Sequence, residues 1–187
     1  MNVITIDLEL NKPSRQIIQL GYTINNVKTG HMIFSRCINI NPFEQLDPFI
    51  IELTGITQEQ VDSGVSLFEA YEQMKKDITK NQTSPFCIQW GLDHYELRQQ
   101  LGIPWDEYCF ARRGIDVKAL YQAYAMSKPQ GKTVAGLSKA LEVMGLEFAG
   151  RQHNALNDAV NTFKAFKALT DKMVKWDEIT KVVNRGQ

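Results

Sequence analysis

The sequence predicts an α/β domain in which a mixed sheet, antiparallel at its start and parallel later, is flanked by helices. Two observations carry this. Three β-like runs come first, joined by short turn-prone links. From residue 57 the apolar residues switch to helical spacing, and helices then alternate with short strands. At 187 residues the chain is long enough for one domain with a sizeable core and short for two. We therefore expect a single domain over residues 1–187, with a core to about residue 170 and a C-terminal helical extension over 171–187.

The strands are VITIDLEL (3–10), QIIQLGYTI (16–24) and HMIFSRCINI (31–40). The turn-prone NNVKTG joins the last two, and such short connections favour an antiparallel meander. Thr57 with Gln60, and Ser66 with Glu69, make the S/T-x-x-E/Q pattern that caps a helix N-terminus, so two helices should begin there. In the second, Leu67, Phe68, Tyr71, Met74 and Ile78 recur at helical spacing and should face the sheet. NQTSP reads as a loop, PFCIQW as a short buried strand, and Asp93 to Leu101 as a helix. YCFARRGID should form another strand leading into the helix VKALYQAYAM. SKPQGK is a flexible loop, followed by a helix from about Thr133 to Met144. After the loop LEFAGRQH a long helix starts near Asn154, with Leu156, Ala159, Val160, Phe163 and Phe166 on its inner face.

Composition excludes several classes. A hydrophobic fraction of 43% and a charged fraction of 22% suit a globular chain rather than a disordered or fibrous one. Twenty-one basic residues balance 21 acidic ones, so bulk charge argues neither for nor against a polyanionic partner. Cys37, Cys87 and Cys109 are odd in number and lack the close pairs of a zinc site, which suggests buried reduced thiols. Asp7 and Glu9 break the one apolar N-terminal run, and no uncharged stretch is long enough to span a bilayer. The expectation is a soluble, cytoplasmic protein.

Those two acids are the first functional signal. Side chains alternate along a strand, so Asp7 and Glu9 point one way while Ile6, Leu8 and Leu10 point the other. Two neighbouring carboxylates repel and resist desolvation unless a cation lies between them. Oxygen ligands without a Cys or His cluster would select a hard divalent ion. A wet edge strand explains the pair equally well. Asp93, after PFCIQW, could be a third ligand or simply a helix N-cap. Asp158 lies one turn inside the last helix, where an acid is favourable in any case, and His153 just precedes that helix.

In that order, D-x-E as Asp7 and Glu9, an acid at Asp93, and His153 followed five positions later by Asp158 in HNALND, the chain resembles the DEDDh, or DnaQ-like, 3′–5′ exonucleases. The resemblance covers nearly the whole length. ELTGITQEQVDSG is similar to the segment after the third strand in this family, and the TGI segment and the WG pair lean towards its RNA-trimming branch. GIDVKALY resembles a strand end of the family in which Asp116 is structural. One departure is that Trp90-Gly91-Leu92-Asp93 is a residue shorter than the usual second motif. Asp93 is the better candidate there, with Leu97 one turn on, and Glu96 is the fallback.

The resemblance implies a ribonuclease H-like three-layer fold. It also implies that Asp7, Glu9, Asp93 and Asp158 hold two Mg²⁺ or Mn²⁺ ions. These ions would activate a water, His153 would take its proton, and single-stranded 3′ ends would be trimmed to nucleoside 5′-monophosphates. A mobile LEFAGRQH loop would suit that role for His153. Leu10 and Phe43 are candidates for base contact, though either could be an ordinary apolar residue. His31 and His94 match nothing in the family and are read as surface histidines. Lys164, Lys167, Lys172 and Lys175 are read as a solvated helix face rather than a nucleic-acid track. Two other functions fit the same residues: a phosphodiesterase for dinucleotides or cyclic nucleotides, and a weakly active nucleic-acid-binding module.

Overall fold

The computed structural model describes residues 1–127 and 136–173. Strands β1 (Asn2–Leu10), β2 (Ile17–Asn26) and β3 (Met32–Asn39) form the expected antiparallel meander. β4 (Thr83–Gln89) then joins β1 in parallel, and β5 (Ile115–Asp116) joins β4, giving the sheet order β3-β2-β1-β4-β5. β1 is therefore the central strand, which removes the wet-edge explanation of its acids.

Helices cover both faces. Alternation along β1 sends Ile4, Ile6 and Leu8 into a core with Tyr71 and Met74 of α3 (Leu67–Lys80). On the other face Val3 and Ile88 pack with Val117 and Tyr121 of α5 (Val117–Met126) and with Phe163 and Phe166 of α7 (Ala155–Met173). Each large apolar side chain fully buried in these layers contributes about 1.5–3 kcal/mol. The remaining helices are α1 (Pro48–Thr54), α2 (Gln58–Asp62), α4 (Asp93–Leu101) and α6 (Leu137–Val143). None of the described helices is long and apolar enough to cross a membrane.

Both capping boxes form: Thr57 and Ser66 accept from the backbone N–H groups of Gln60 and Glu69, whose side chains bond back. Helix α1 was not expected. Its seven residues are too short to show a period, but its ends carry clear signals. Asp47 caps it, Pro48 opens it, and Gly55, at φ 74°, stops it in the left-handed region.

Several expectations need correction. Phe68 is 58% exposed and lies outside the inner stripe of α3, where Ala70 takes the buried position instead. β4 begins at Thr83, inside the segment read as a loop. YCFARRGID yields only the two-residue β5, because Tyr108 and Phe110 turn into an aromatic cluster, and before β5 it meets β4 through the Ala111 N–H to the Pro85 carbonyl. Cys87 is buried, but Cys109 is half-buried and Cys37 is exposed on the edge strand β3. The helix expected from Thr133 is described from Leu137, and residues 133–135 lie outside the described residues, as do 128–132 of the SKPQGK loop. Helix α7 runs to Met173, and the rest of the expected extension also falls outside.

Candidate active site

The site is assembled at the C-terminal end of β1, beginning with register. Asp7 pairs with Gly21 and Glu9 with Gln19 across the antiparallel β1–β2 ladder. Those two β2 residues seat α7. A Cβ at Gly21 would lie 2.1 Å from the Ala155 carbonyl carbon, so only glycine lets the helix start rest on the strand. Gln19 Oε1 accepts from the Ala155 N–H at 3.0 Å, and Asn154 Oδ1 accepts from the Asn157 N–H at 3.2 Å, as an N-cap does. The first turn of α7 is thereby fixed over Glu9, and Asp158 sits in that turn.

The α4 side is built by a local turn. Asp93 is the first residue of α4, yet it does not cap the helix: the N-cap position is Leu92, with no side-chain bond. Gln89, at the end of β4, supplies the missing acceptor, its Oε1 taking the His94 N–H at 2.7 Å. The Asp93 carboxylate is thus released from capping, and its Oδ2 is buried without a hydrogen-bond partner among the described residues. Asp116 accepts from the N–H groups of Gly91 (3.0 Å) and Lys118 (2.9 Å), tying the end of β4 to the start of α5, the structural role expected for it.

His153 completes the group. It is exposed, adopts φ 58°, and donates its backbone N–H to Asp158 Oδ2 at 3.1 Å. That backbone is uncommon for a residue with a Cβ and holds only where neighbours fix it. Glu9, His153 and Asp158 each present a ligand atom, all within 4.8 Å of one another.

Electrostatics show how crowded the acids are. Burial pushes Asp7 well above the usual carboxylate range, and Asp93, Asp158 and Glu9 add to the shift. Glu9 is pushed up to about 8 by burial and then by Asp158 and Asp93. Asp93 is pushed to about 7 by burial, then by Asp116, Glu96 and Asp158. Asp158 is pushed to about 6 by burial, against the lowering effect of the His153 N–H. Among the described residues no Lys or Arg forms a salt bridge with any of the four. Mutually repelling carboxylates, a buried unpartnered oxygen and no protein counter-charge fit a hard divalent cation.

The other candidates divide. Glu96 is engaged in a salt bridge with Arg15 at 2.8 Å and accepts from Gln100, whereas Asp93 is the α4 acid whose charge acts on Asp7 and Glu9. Leu10 is partly buried against the core. Phe43 is 83% exposed at φ 56°, apolar surface with nothing packed on it among the described residues. His31 is exposed, as expected. His94 is not a surface residue: it is 0% exposed, with Tyr95, Trp105 and Tyr108 ringing it at centroid distances of 4.1–6.4 Å. Burial and Arg98 hold its imidazole down to about 4. On α7, Lys164 donates to the Glu147 carbonyl, Lys167 pairs with Asp171 and Lys172 lies over Tyr124, while Lys175 is outside the described residues. Gln89 and Gln19 were not singled out from the sequence, though Gln89 closes the strand β4 and Gln19 is a lone polar residue in the apolar start of β2.

Comparison with known proteins points to one family. A sequence model of the RNase_T family, described as an exonuclease, matches residues 4–166. ERI1 exoribonuclease 2 of Homo sapiens is 32% identical over 201 aligned residues, covering 92% of this chain and 28% of that protein. The 3′-5′ exonuclease Snipper of Drosophila melanogaster is 29% identical over 185, covering 86% of this chain and 61% of the relative. The chain thus spans about a quarter to a third of the length of the exoribonuclease 2 relatives it matches. In fold it matches the crystal structure of the nuclease domain of 3′hExo, a DEDDh family member bound to rAMP, with a TM-score of 0.76. That match has 21% identity and covers 91% of this chain and 92% of the other. With its sheet order, its acid cluster and a family match across nearly its whole length, this chain belongs to the RNase_T, or DEDDh 3′–5′ exonuclease, family.

Proposed function

We propose that this domain is a divalent-metal-dependent 3′–5′ exonuclease that trims single-stranded 3′ ends of RNA or DNA, releasing nucleoside 5′-monophosphates. The observation that carries the reading is the convergence of four carboxylates from β1, α4 and α7 with no salt bridge to a protein cation among the described residues. Bound among Asp7, Glu9, Asp93 and Asp158, two Mg²⁺ or Mn²⁺ ions would supply activation of a water and charge neutralisation at the departing 3′ oxygen.

The protein's own part is positional. Asp7 and Glu9 share one face of a central strand, so their spacing is set by the strand repeat rather than by flexible loops. Asp158 holds the backbone of His153 while facing the same space. His153 therefore presents a ring nitrogen to the space beside Glu9 and Asp158, where an imidazole could take a proton from a water activated there. Exoribonuclease relatives support RNA as a substrate, and the even charge balance suits a short end held by the site rather than a long duplex spread over a basic face.

The test incubates 5′-labelled single-stranded RNA and DNA oligomers, and dinucleotides, with pure protein and Mg²⁺ or Mn²⁺. A ladder shortening from the 3′ end, abolished by chelator, is the expected result. Cleavage of dinucleotides alone would replace the reading with a small-substrate phosphodiesterase, and no cleavage of any substrate would overturn it.

A further inference from the structure

The TGI segment, residues 54–56, is singled out by the sequence but has no part in the acid cluster. Its place in the fold gives it one. Gly55 ends α1, and its own N–H goes to the Ile51 carbonyl. The next carbonyls, of Glu52 and Leu53, are helix-end acceptors with no helical donor. The Arg151 guanidinium reaches both, Nη2 lying 3.3 Å from the Glu52 oxygen and 3.4 Å from that of Leu53. The negative end of the helix favours a cation there. The fit is close: a Cβ on Gly55 would lie 1.9 Å from Arg151 Nη1, so the glycine is needed for the arginine to dock as well as for its φ of 74°.

Arg151 is two residues before His153, and the same loop is tied on its other side to α7. Asn161 accepts from the Ala149 N–H and donates to the Ala149 carbonyl, both at 2.9 Å. Asn157 donates to the Arg151 carbonyl at 3.0 Å. The loop expected to be mobile is thus pinned at Ala149 and at Arg151 itself. His153, exposed and in a backbone region disfavoured for it, donates its N–H to Asp158 and has no other hydrogen bond among the described residues.

We infer that Arg151, docked on the TGI turn at the end of α1, is a positioning residue that sets His153 for catalysis. It touches neither substrate nor reacting atoms; it holds the loop so that the imidazole faces Glu9 and Asp158.

The inference rests on the proposed nuclease reading, so its test has one arm that needs no turnover. In the first arm, R151A and R151K are compared with the parent protein on a 5′-labelled oligomer with Mn²⁺. R151A should lower kcat on the order of ten- to a hundredfold, with the oligomer KM and the Mn²⁺ dependence within about twofold. R151K, which keeps a donor for one carbonyl, should recover part of the loss. G55A, if folded, should match R151A, and the double variant should be no worse than either single one. In the second arm, NMR of the metal-free protein should show the His153 ring signals shifted or broadened in R151A and partly restored in R151K. An R151A protein with parental kcat and unchanged His153 signals overturns the inference. A raised KM at unchanged kcat also overturns it, because Arg151 would then contact substrate. If the parent protein cleaves nothing, the nuclease reading fails and the NMR arm alone decides whether the strap orders His153.

Discussion

The two sides of the acid cluster are built by different means. On the β1–α7 side, position comes from long-range register: Asp7 opposite Gly21, Glu9 opposite Gln19, and α7 seated on both β2 residues. On the α4 side, position comes from a turn a few residues long, in which Gln89 takes over the capping bond and Asp93 is left with a free buried oxygen. The first arrangement is held by a whole sheet and two cores. The second rests on a short turn held by two side-chain hydrogen bonds, Gln89 accepting from the His94 N–H and Asp116 from the Gly91 N–H, so equal chemical damage should have unequal consequences on the two sides.

The largest effect should come from the register side. Asp7→Ala or Asp158→Ala removes a carboxylate from a fixed frame that nothing can refill, and oligomer cleavage should fall by about 10³-fold or more, several kcal/mol of transition-state stabilisation. Parental activity in either variant would remove these residues from the site. His153→Ala should lower kcat by about 10²-fold or more while leaving Mn²⁺ affinity, measured by calorimetry, nearly unchanged.

The turn side should respond in a graded way. Gln89→Ala leaves the His94 N–H of α4 without its acceptor, and Asp93 becomes the nearest replacement cap. Stability should drop by about 1 kcal/mol in a denaturant titration, and cleavage should drop with it by about tenfold as Asp93 is drawn off. Glu96→Gln, by contrast, loses only a partly exposed ion pair with Arg15 and should stay within about threefold of parental activity. If Glu96→Gln were the more damaging, Glu96 rather than Asp93 would be the α4 acid of the site.

The smallest and most general effect is on metal-free stability. The folded-state values for Asp158, Asp93 and Glu9, about 6, 7 and 8, lie above those of an unfolded chain, near 4. The folded protein therefore binds more protons than the unfolded one, and stability present below about pH 4 is lost as pH rises through 6 to 8. Thermal melts without metal should fall in Tm over that window. Asp7→Asn should flatten the fall, and Mn²⁺ should restore Tm more at pH 8 than at pH 6.

Much of this was legible in the sequence where a signal is local or periodic. Alternation placed Asp7 and Glu9 on one face, two capping boxes located α2 and α3, and the spacing of His153 and Asp158 put both at one helix start. What sequence could not reveal depends on who meets whom across the fold. Asp93 looked like a cap because the residue that caps in its place, Gln89, lies on the preceding strand. His94 looked like surface because its aromatic cage comes from residues 95 to 110, a stretch whose composition reads as a strand. Phe68 was placed in the stripe of α3, yet it is exposed while its neighbour Leu67 packs against the core.

The most direct measurement is calorimetric titration of Mn²⁺ into the metal-free domain near pH 7 in buffers of different ionisation heat. Carboxyls held partly protonated by burial and by one another must give up protons when cations bind between them. Binding at two sites with net proton release, lost in Asp158→Ala, is the expected result. Binding without proton release, or binding that Asp158→Ala leaves intact, would contradict a metal site built from these four acids.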